Sequence, residues 1–427
     1  AVGLVFQQVF GIKELWGIDF FWIAAIGLVV LTALYTIFGG MKSVLYTSVL
    51  QTPILLLGSL IILVLGFKEL GGWDEMMRVC GAVTVNDYGD TMTNLIRSND
   101  DANFPWLGAL IGSAIIGFWY WCTDQFIVQR VLSGKNEMEA RRGTIFGAYL
   151  KLLPVFLFLI PGMIAFALHQ KYIGAGGEGF LPMLANGTAN ADAAFPTLVA
   201  KLLPAGVKGL VVCGILAALM SSLASLFNSS AMLFTIDFYK RFRPETPEKK
   251  LVGIGQVATV VIVILGILWI PIMRSVGDVL YTYLQDVQSV LAPGIAAAFL
   301  LGICWKRTSA QGGMWGLIAG MVIGLTRLGA KVYYSNAGEV ADSTFKYLFY
   351  DMNWLFFCGW MFLFCIIVVI VVSLATKAPT AEKIQGLVFG TATKEQKAAT
   401  RASWNHWDII HTVIILAITG AFYWYFW

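Results

Sequence analysis

The sequence predicts an all-α polytopic membrane protein, and three observations carry this prediction. Of its 427 residues, 58% are apolar and only 13% are charged, against about 25% charged in an average soluble domain. The mean hydropathy is +0.75. Apolar stretches near twenty residues recur along the chain, the length that spans a ~30 Å hydrocarbon core at 1.5 Å per residue. A soluble fold cannot cover this much apolar surface.

The apolar windows predict ten spans within one transmembrane domain, residues 1–427. Gly39 and Gly40 separate the first two spans, and Pro293 with Gly294 is expected to break the seventh. The ten spans cover roughly residues 19–39, 44–68, 106–132, 142–168, 206–240, 250–273, 279–304, 311–329, 346–376 and 408–427.

The loop charges orient these spans. If the loop 67–105 lies outside, 17 basic residues fall in inside loops and ten in outside segments. The positive-inside rule then places the C-terminus outside. Short loops without long inserted domains favour a bacterial inner membrane. The net charge of +4 is too small to indicate a nucleic-acid partner, so the expected surroundings are the lipid bilayer.

Polar residues within spans are costly, so each is a candidate for function. Three consecutive aromatics, Trp119 to Trp121, follow Gly117 and precede Asp124. They point in three directions around a helix, so at least one faces inward and can stack on the C–H face of a sugar. The alternative is an aromatic belt at the membrane interface, where Trp and Tyr cluster in any case.

A second segment places small and hydroxylated residues on one helix face. Ala218, Ser221, Ser222, Ser225 and Ser229 follow three- and four-residue spacing. The pattern is typical of close helix packing in membranes. The competing interpretation is a Na⁺ site, because neutral oxygens suit this ion beside an unwound helix.

Two further polar residues lie inside spans. Lys151 sits roughly 13 Å from the inner end of its span, deep for free snorkelling. It needs an oxygen partner, either a ligand hydroxyl or a structural ion pair. Gln285 both donates and accepts hydrogen bonds, as hydroxyl recognition requires, although it equally suits an interhelical hydrogen bond.

Signals of covalent catalysis are lacking, so the sequence does not predict an enzyme. The chain has no phosphate-binding Gly-Lys-Ser/Thr motif, and its three histidines are scattered. Six cysteines, five of them in apolar runs, form no disulfide framework.

With these motifs in order, the chain resembles the sodium/glucose (galactose) cotransporter branch of the sodium:solute symporter family. The resemblance runs from about residue 30 to residue 330. It is carried by Tyr35 to Lys42, Trp119 to Arg130, Ser221 with Ser222, Ala292 to Gly294, and Phe299 to Gly302.

The resemblance implies a LeuT-type fold of inverted repeats. It implies that residues 19–304 form the repeat core, lacking its first helices, and that residues 305–427 are peripheral. We expect the family's missing spans to precede Ala1. It also implies that Tyr120 stacks on the sugar and closes the inner gate. Lys151 and Gln285 are expected to bind sugar hydroxyls, with Trp121 and Gly117 at the same site. The Na⁺ ligands implied are the Ala218 carbonyl, Ser221 and Ser222.

Departures from the family pattern refine this expectation. Ser48 stands where the family usually has aspartate, and Ala224 where some two-sodium members have threonine. We therefore expect one Na⁺ per sugar. Gly117 replaces an Asn or Thr that faces the sugar in relatives.

The expected function is Na⁺-driven uptake of a hexose such as galactose or glucose by a monomer or weak homo-oligomer. The alternatives are myo-inositol or another small solute, and a non-coupled sugar-binding sensor or pore.

Overall fold

The structure is a computed structural model that describes residues 9, 11–12, 14–184, 187–274, 280–336 and 341–426. Side chains are described throughout these ranges except at 38–44, 47, 50, 272–274 and 280–283. The described chain opens with a small hairpin of β1 (Glu14–Leu15) and β2 (Ile18–Asp19). Its two turn residues, Trp16 and Gly17, both have positive φ, as a type I′ turn requires.

Helices make up nearly all of the rest. Asp19 caps the first helix by accepting a hydrogen bond from the Phe21 N–H, and the left-handed Gly71 ends it. The helices are α1 Phe20–Leu70, α2 Trp73–Gly81, α3 Trp106–Cys122, α4 Gln125–Leu132, α5 Glu137–Pro154, α6 Ile160–Gly174, α7 Ala194–Leu202, α8 Ala205–Met232, α9 Lys240–Phe242, α10 Glu248–Arg274, α11 Leu280–Cys304, α12 Ala310–Asn336, α13 Thr344–Lys346, α14 Trp354–Ala375, α15 Ala381–Ile384, α16 Lys394–Ala402 and α17 His406–Tyr425.

Short π-helical segments continue three of these helices. Val155–Leu159 joins α5 to α6, Leu233–Tyr239 joins α8 to α9, and Tyr347–Asp351 follows α13. π-segments of this kind occur frequently at functional sites.

The spans confirm a polytopic membrane protein. Within the described ranges, nine helical segments are long and apolar enough to cross a membrane. Helices α3 and α4, bent by 48° at a short break, make a tenth if they are counted as one span. The number and order of spans agree with the sequence prediction.

The two predicted interruptions have different outcomes. The first two apolar windows are separate candidate spans, Phe20–Ile37 and Gln51–Leu70, as predicted, although the backbone between them is helical within α1, through Gly39 and Gly40. The predicted break at Pro293 is wrong, because helix α11 continues past it. A membrane helix tolerates such residues because its neighbours supply compensating contacts. Gly294 serves one of these contacts, since a Cβ added at Gly320 would lie 2.9 Å from its Cα.

The chain forms two compact units. The first comprises residues 1–85, 91–93 and 150–275. Its core is an apolar cluster in which Ile62 of α1, Met76 of α2, Ile164 of α6 and Val211 of α8 are buried. Helix α1 lies close against α8 because Gly58 leaves room for Val211: an added Cβ there would lie 2.6 Å from that side chain.

The second unit comprises residues 86–90, 94–149 and 276–427. Helices α3, α11, α12 and α14 pack around two apolar clusters that contain Ala296 and Ala297 of α11. Helix α14 runs close to α3 at Gly112, where an added Cβ would meet the Leu355 backbone at 2.8 Å. The division into a repeat core and peripheral helices stays a prediction.

Candidate functional site

The serine segment of the predicted sodium site lies on α8, within the first unit. Ser221 is buried, and its Oγ lies 2.5 Å from the Oγ of Ser48 on α1. The two hydroxyls therefore share a hydrogen bond. Sequence reasoning treated Ser48 as a substituted position and missed this contact, because the two residues are 173 positions apart.

Two further hydroxyls bind carbonyls of the same segment. Tyr35 Oη on α1 donates to the Met220 carbonyl at 2.9 Å. Ser225 Oγ donates to the Ser221 carbonyl at 3.0 Å, one turn earlier on α8. Tyr35 belongs to one of the motifs that carry the family resemblance. It packs α1 against the part of α8 where the ion is predicted to bind.

The predicted sodium ligands differ in exposure. Ser221 is buried, Ala218 is half-buried, and Ser222 is exposed on the next position around the helix. The side chains at Ser48, Ser221 and Ser222 contribute neutral hydroxyl oxygens and no carboxylate. This donor chemistry fits Na⁺, which accepts hydroxyl and carbonyl oxygens, and it fits a divalent cation poorly.

The aromatic segment forms the last turn of α3, within the second unit. Trp119 and Phe118 pack against the apolar cluster of this unit. Tyr120 is half-buried, and Trp121 is 50% exposed. The Tyr120 and Trp121 rings meet edge to face, with centroids 5.2 Å apart. The inward aromatics are thus Phe118 and Trp119, and Tyr120 lies at the boundary, with its ring only partly covered.

A helix break directly follows these aromatics. The Trp119 carbonyl accepts hydrogen bonds from the backbone N–H groups of Thr123 and Asp124, at 3.0 and 3.1 Å. Asp124 then caps α4 by accepting from the Phe126 N–H at 3.0 Å. The chain turns by 48° here. Tyr120 is therefore held immediately before a bend inside a span, a position typical of ligand sites in transporters with broken helices.

Gln285 lies on the stripe of α11 that faces α3. Ala292 and Ala296 share this stripe by seven- and four-residue spacing, and both pack in one cluster with Ile115 and Ile116 of α3. Phe299 continues the stripe, with its ring centroid 6.1 Å from that of Phe118. The half-buried Gln285 side chain is thus directed toward the helix that carries Tyr120.

The structure does not bring Gln285 and Tyr120 into direct contact. The neighbour of Gln285, Asp286, lies beside Arg327, which stacks on Phe357 of α14. Helix α14 meets α3 at Gly112. Gln285 is therefore near the level of Gly112, about 12 Å along α3 from Tyr120 at 1.5 Å per residue.

The other predicted substrate residues divide between the units. Gly117, on α3, faces open space, since an added Cβ would meet no atom within 4 Å. Lys151, on α5, belongs to the first unit, where its side chain is exposed. The roles of both residues stay predictions.

Sequence reasoning missed one charged group inside the spans. Asp286 of α11 lies near Arg327 and Lys331 of α12. The presence of charged residues within apolar spans was the signal from which this group could have been predicted. The loop-charge count places Arg327 and Lys331 among its ten outside basic residues.

Comparisons with known proteins bear on the family and the fold of this chain. The profile of the sodium:solute symporter family matches residues 3–320. The fold is similar to that of a solved structure described as the substrate-bound outward-open state of a Na⁺-coupled sialic acid symporter. The TM-score is 0.65 at 21% sequence identity, covering 89% of this chain and 72% of that chain. This likeness confirms the predicted LeuT-type fold.

Several curated relatives are more similar in sequence. The sodium/mannose cotransporter of Bos taurus is 35% identical, covering 95% of this chain and 72% of the relative. The sodium/myo-inositol cotransporter 2 of Homo sapiens is 35% identical over 87% of this chain. The sodium/glucose cotransporter 1 of Ovis aries is 38% identical over 84% of this chain. This chain spans only 56% and 57% of the last two relatives.

These relatives are transporters and not enzymes, and their names confirm Na⁺ as the predicted coupling ion. The profile match covers well over half of the chain, with the serine segment, the aromatic segment and Gln285 all inside it. The chain belongs to the sodium:solute symporter family.

Proposed function

We propose that this protein couples inward movement of one Na⁺ to uptake of a hexose such as galactose or glucose. The aromatic turn before the helix break carries this proposal. There Tyr120 has a partly covered ring and a polar tip, as stacking on a sugar ring requires, and Gln285 faces the same helix. The names of the mannose and glucose cotransporters support a sugar substrate.

We assign the Na⁺ to Ala218, Ser221 and Ser222 on α8. Ser221 already engages a hydroxyl of α1, so an ion at this position would contact both helices. An ion that bridges two helices favours the conformation in which they are closed on it. Na⁺ and sugar then raise each other's affinity by the same factor, which is the thermodynamic basis of symport.

A second substrate, myo-inositol, is favoured by Gly117. The open space at this residue leaves room for a polyol with a hydroxyl on every ring carbon. Relatives named as sodium/myo-inositol cotransporters share 35% and 36% identity with this chain. Competition between galactose and myo-inositol for uptake separates the two substrates.

The test is radiolabelled uptake by the complete protein in proteoliposomes. Galactose, glucose and myo-inositol are offered with an inward Na⁺ gradient, and with K⁺ in its place. Wild type is compared with S222A and with S230A. The second variant is the matched control, because it replaces a serine of the same helix outside the predicted site. We expect concentrative uptake only in Na⁺, lost in S222A and kept in S230A.

Other outcomes separate the alternatives. Uptake that is equal with Na⁺ and with K⁺ would indicate a passive pore. Saturable binding without flux would indicate a sensor. Equal loss in S222A and S230A would contradict the assignment of Na⁺ to Ser222.

We further propose that the protein lies in a bacterial inner membrane with its C-terminus outside. The excess of basic residues in the predicted inside loops supports the orientation, and the short loops support the bacterial membrane. Impermeant thiol labelling tests it on whole cells. A cysteine introduced at the exposed Ala398, in the last predicted inside loop, should stay unlabelled until the membrane is opened.

A further inference from the structure

An arginine is completely buried inside the second unit. Arg327 of α12 has 0% exposure. Its Nη2 donates to the Met352 carbonyl at 2.7 Å, and its Nη1 donates to the Leu348 carbonyl at 3.4 Å. Its guanidinium lies 4.0 Å from the ring centroid of Phe357 on α14. Burying a charge in an apolar span is costly, so this side chain needs a compensating function.

A single carboxylate serves Arg327 and a second cation. Lys331 Nζ lies 2.5 Å from Asp286 Oδ2, and Arg327 Nη2 lies 3.7 Å from Asp286 Oδ1. Ser289 Oγ donates to the Asp286 carbonyl at 2.6 Å. Arg327 and Lys331 are one turn apart on α12, so both reach the same point on α11. We call these three charged side chains the α11–α12 charge cluster.

The charge cluster lies at one end of a close helix crossing. A Cβ added at Gly324 would lie 2.5 Å from the Val290 carbonyl oxygen, and one added at Gly320 would meet Gly294 at 2.9 Å. The α11 members of this contact are Asp286, Val290 and Gly294, at four-residue spacing. The α12 members, in reverse order, are Lys331 with Arg327, Gly324 and Gly320. One stripe of each helix therefore faces the other along an antiparallel seam.

This seam determines the rotation of α11 about its axis. Successive helix residues point about 100° apart, so Gln285 leaves the helix on a different side from Asp286. That side is the stripe with Ala292 and Ala296, which packs against α3. When Asp286 is held by two cations on α12, Gln285 is directed toward α3.

We propose that Asp286, Arg327 and Lys331 are positioning residues that hold Gln285 in the orientation in which it binds substrate. This inference rests on the proposed function, because it assigns Gln285 to the substrate. The three residues act through the rotation of α11 and need no contact with the ligand.

A double-mutant cycle tests the proposal in the complete protein, reconstituted in proteoliposomes. D286N removes the charge at constant size, Q285A removes the proposed ligand, and the double variant combines both. Substrate KM, kcat, Na⁺ half-saturation and thermal midpoint are measured for each. Loss of one hydrogen bond predicts that D286N and Q285A each raise KM about five- to tenfold. In the Q285A background, D286N should change KM less than about twofold.

The matched control is a second ion pair of the same unit. Asp342 accepts from Lys346 Nζ at 2.9 Å, but its side chain is 95% exposed. D342N therefore removes a comparable pair away from the seam, and KM should stay at the wild-type value.

D286N leaves two cations beside a neutral amide, and this alone can prevent folding. If D286N does not fold, K331M takes the place of D286N in the double-mutant cycle. That variant keeps Arg327 opposite Asp286 and removes only the 2.5 Å contact. We expect K331M also to raise KM, and to lose this effect in the Q285A background.

Three results would overturn the inference. If the fold-changes in KM of D286N and Q285A multiply in the double variant, Asp286 acts independently of Gln285 and has only a structural role. An unchanged KM in both D286N and K331M would show that the cluster positions nothing. A wild-type KM in Q285A would remove Gln285 from the site while leaving Na⁺-driven uptake intact, whereas absence of that uptake in wild type would instead overturn the proposed function.

Discussion

Ser48 is the residue on which the expected coupling ratio depends. Its hydroxyl lies 2.5 Å from that of Ser221, in contact with the predicted sodium segment. A hydroxyl offers a cation one neutral oxygen, whereas a carboxylate offers two oxygens and a full negative charge. The difference between one and two bound ions can therefore depend on this side chain.

We predict that S48D raises the number of Na⁺ ions that act in transport. The added carboxylate would stand beside Ser221 and attract a second cation. The Hill coefficient for Na⁺-dependent uptake should rise from about 1 toward 2. S48N is the matched control, since it has the same size without the charge and should keep the wild-type coefficient. A coefficient of 2 in wild type would contradict the one-ion expectation.

Asp101 stabilises the loop between α2 and α3, outside the spans. Burial raises the pKa of its carboxyl, but hydrogen bonds from the backbone N–H groups of Phe104 and Asn103, from the Asn86 amide, and the charge of Arg97 outweigh this. The pKa therefore lies below its usual value. A lowered folded-state pKa contributes stability above the unfolded pKa, and that contribution is lost as pH falls through the folded pKa.

We predict that D101N lowers the thermal midpoint at pH 7 and that the difference from wild type narrows as pH falls below about 4. Loss of a buried charged acceptor costs about 1–3 kcal/mol. Thermal unfolding in detergent between pH 7 and pH 3 measures this. D100N is the control, since Asp100 is next to Asp101 in the same loop. Its thermal midpoint should differ less from that of wild type at every pH. A difference between D101N and wild type that is constant with pH would exclude the carboxylate as its cause.

At the scale of elements, the crossing of α11 and α12 depends on glycine. Gly294 and Gly320 lie with no space for a side chain between them, and Gly316 and Gly312 leave similar room for Val369 and Ser373 of α14. The charge cluster and the glycines thus act at different points along the same α12 helix. Close backbone approach strengthens dispersion contacts where lipid supplies no hydrophobic driving force.

We predict that G320A destabilises the protein. Its Cβ would lie 2.9 Å from the Gly294 Cα and 3.2 Å from Cys365 Sγ, so both helices must shift. Overpacking of this kind typically costs about 1–3 kcal/mol. G329A is the control on the same helix, because its Cβ meets nothing within 4 Å. The thermal midpoint in detergent should fall in G320A and stay equal or rise in G329A. Equal midpoints would show that the crossing is not close-packed.

At the scale of the whole molecule, transport is limited by the energy of the ion gradient. One Na⁺ moving down a tenfold gradient releases about 1.4 kcal/mol, and 100 mV adds roughly 2.3 kcal/mol. The sum supports at most a ~500-fold sugar accumulation. Two ions per sugar would support an accumulation of about 3 × 10⁵-fold, so the coupling ratio sets the highest sugar gradient that the protein can build.

We predict electrogenic uptake with one charge per sugar. At zero net flux, each tenfold change in the sugar gradient should shift the balancing voltage by about 59 mV. A shift of about 30 mV would indicate two charges and contradict the expected ratio. Proteoliposomes with K⁺ and valinomycin set the voltage, and a liposome without protein provides the leak control.

The sequence by itself determined the class of protein and the order of its spans. Hydropathy is local, since each twenty-residue window either tolerates the hydrocarbon core or does not, whatever its neighbours are. The motifs around Tyr120, Ser221 and Gln285 were likewise readable, because polar and aromatic residues stand out in apolar spans. Their roles rest on the resemblance and stay predictions.

Only the tertiary structure decided which helices meet and at what depth. The sequence predicts a break at Pro293, but this residue lies within the continuous helix α11. Gly294 allows the close crossing of α11 and α12 at Gly320. The contact of Ser48 with Ser221 joins helices far apart in the chain, as does that of Asp286 with Lys331. Such contacts depend on the rotation and height of two packed helices, which the spacing within either helix leaves undetermined.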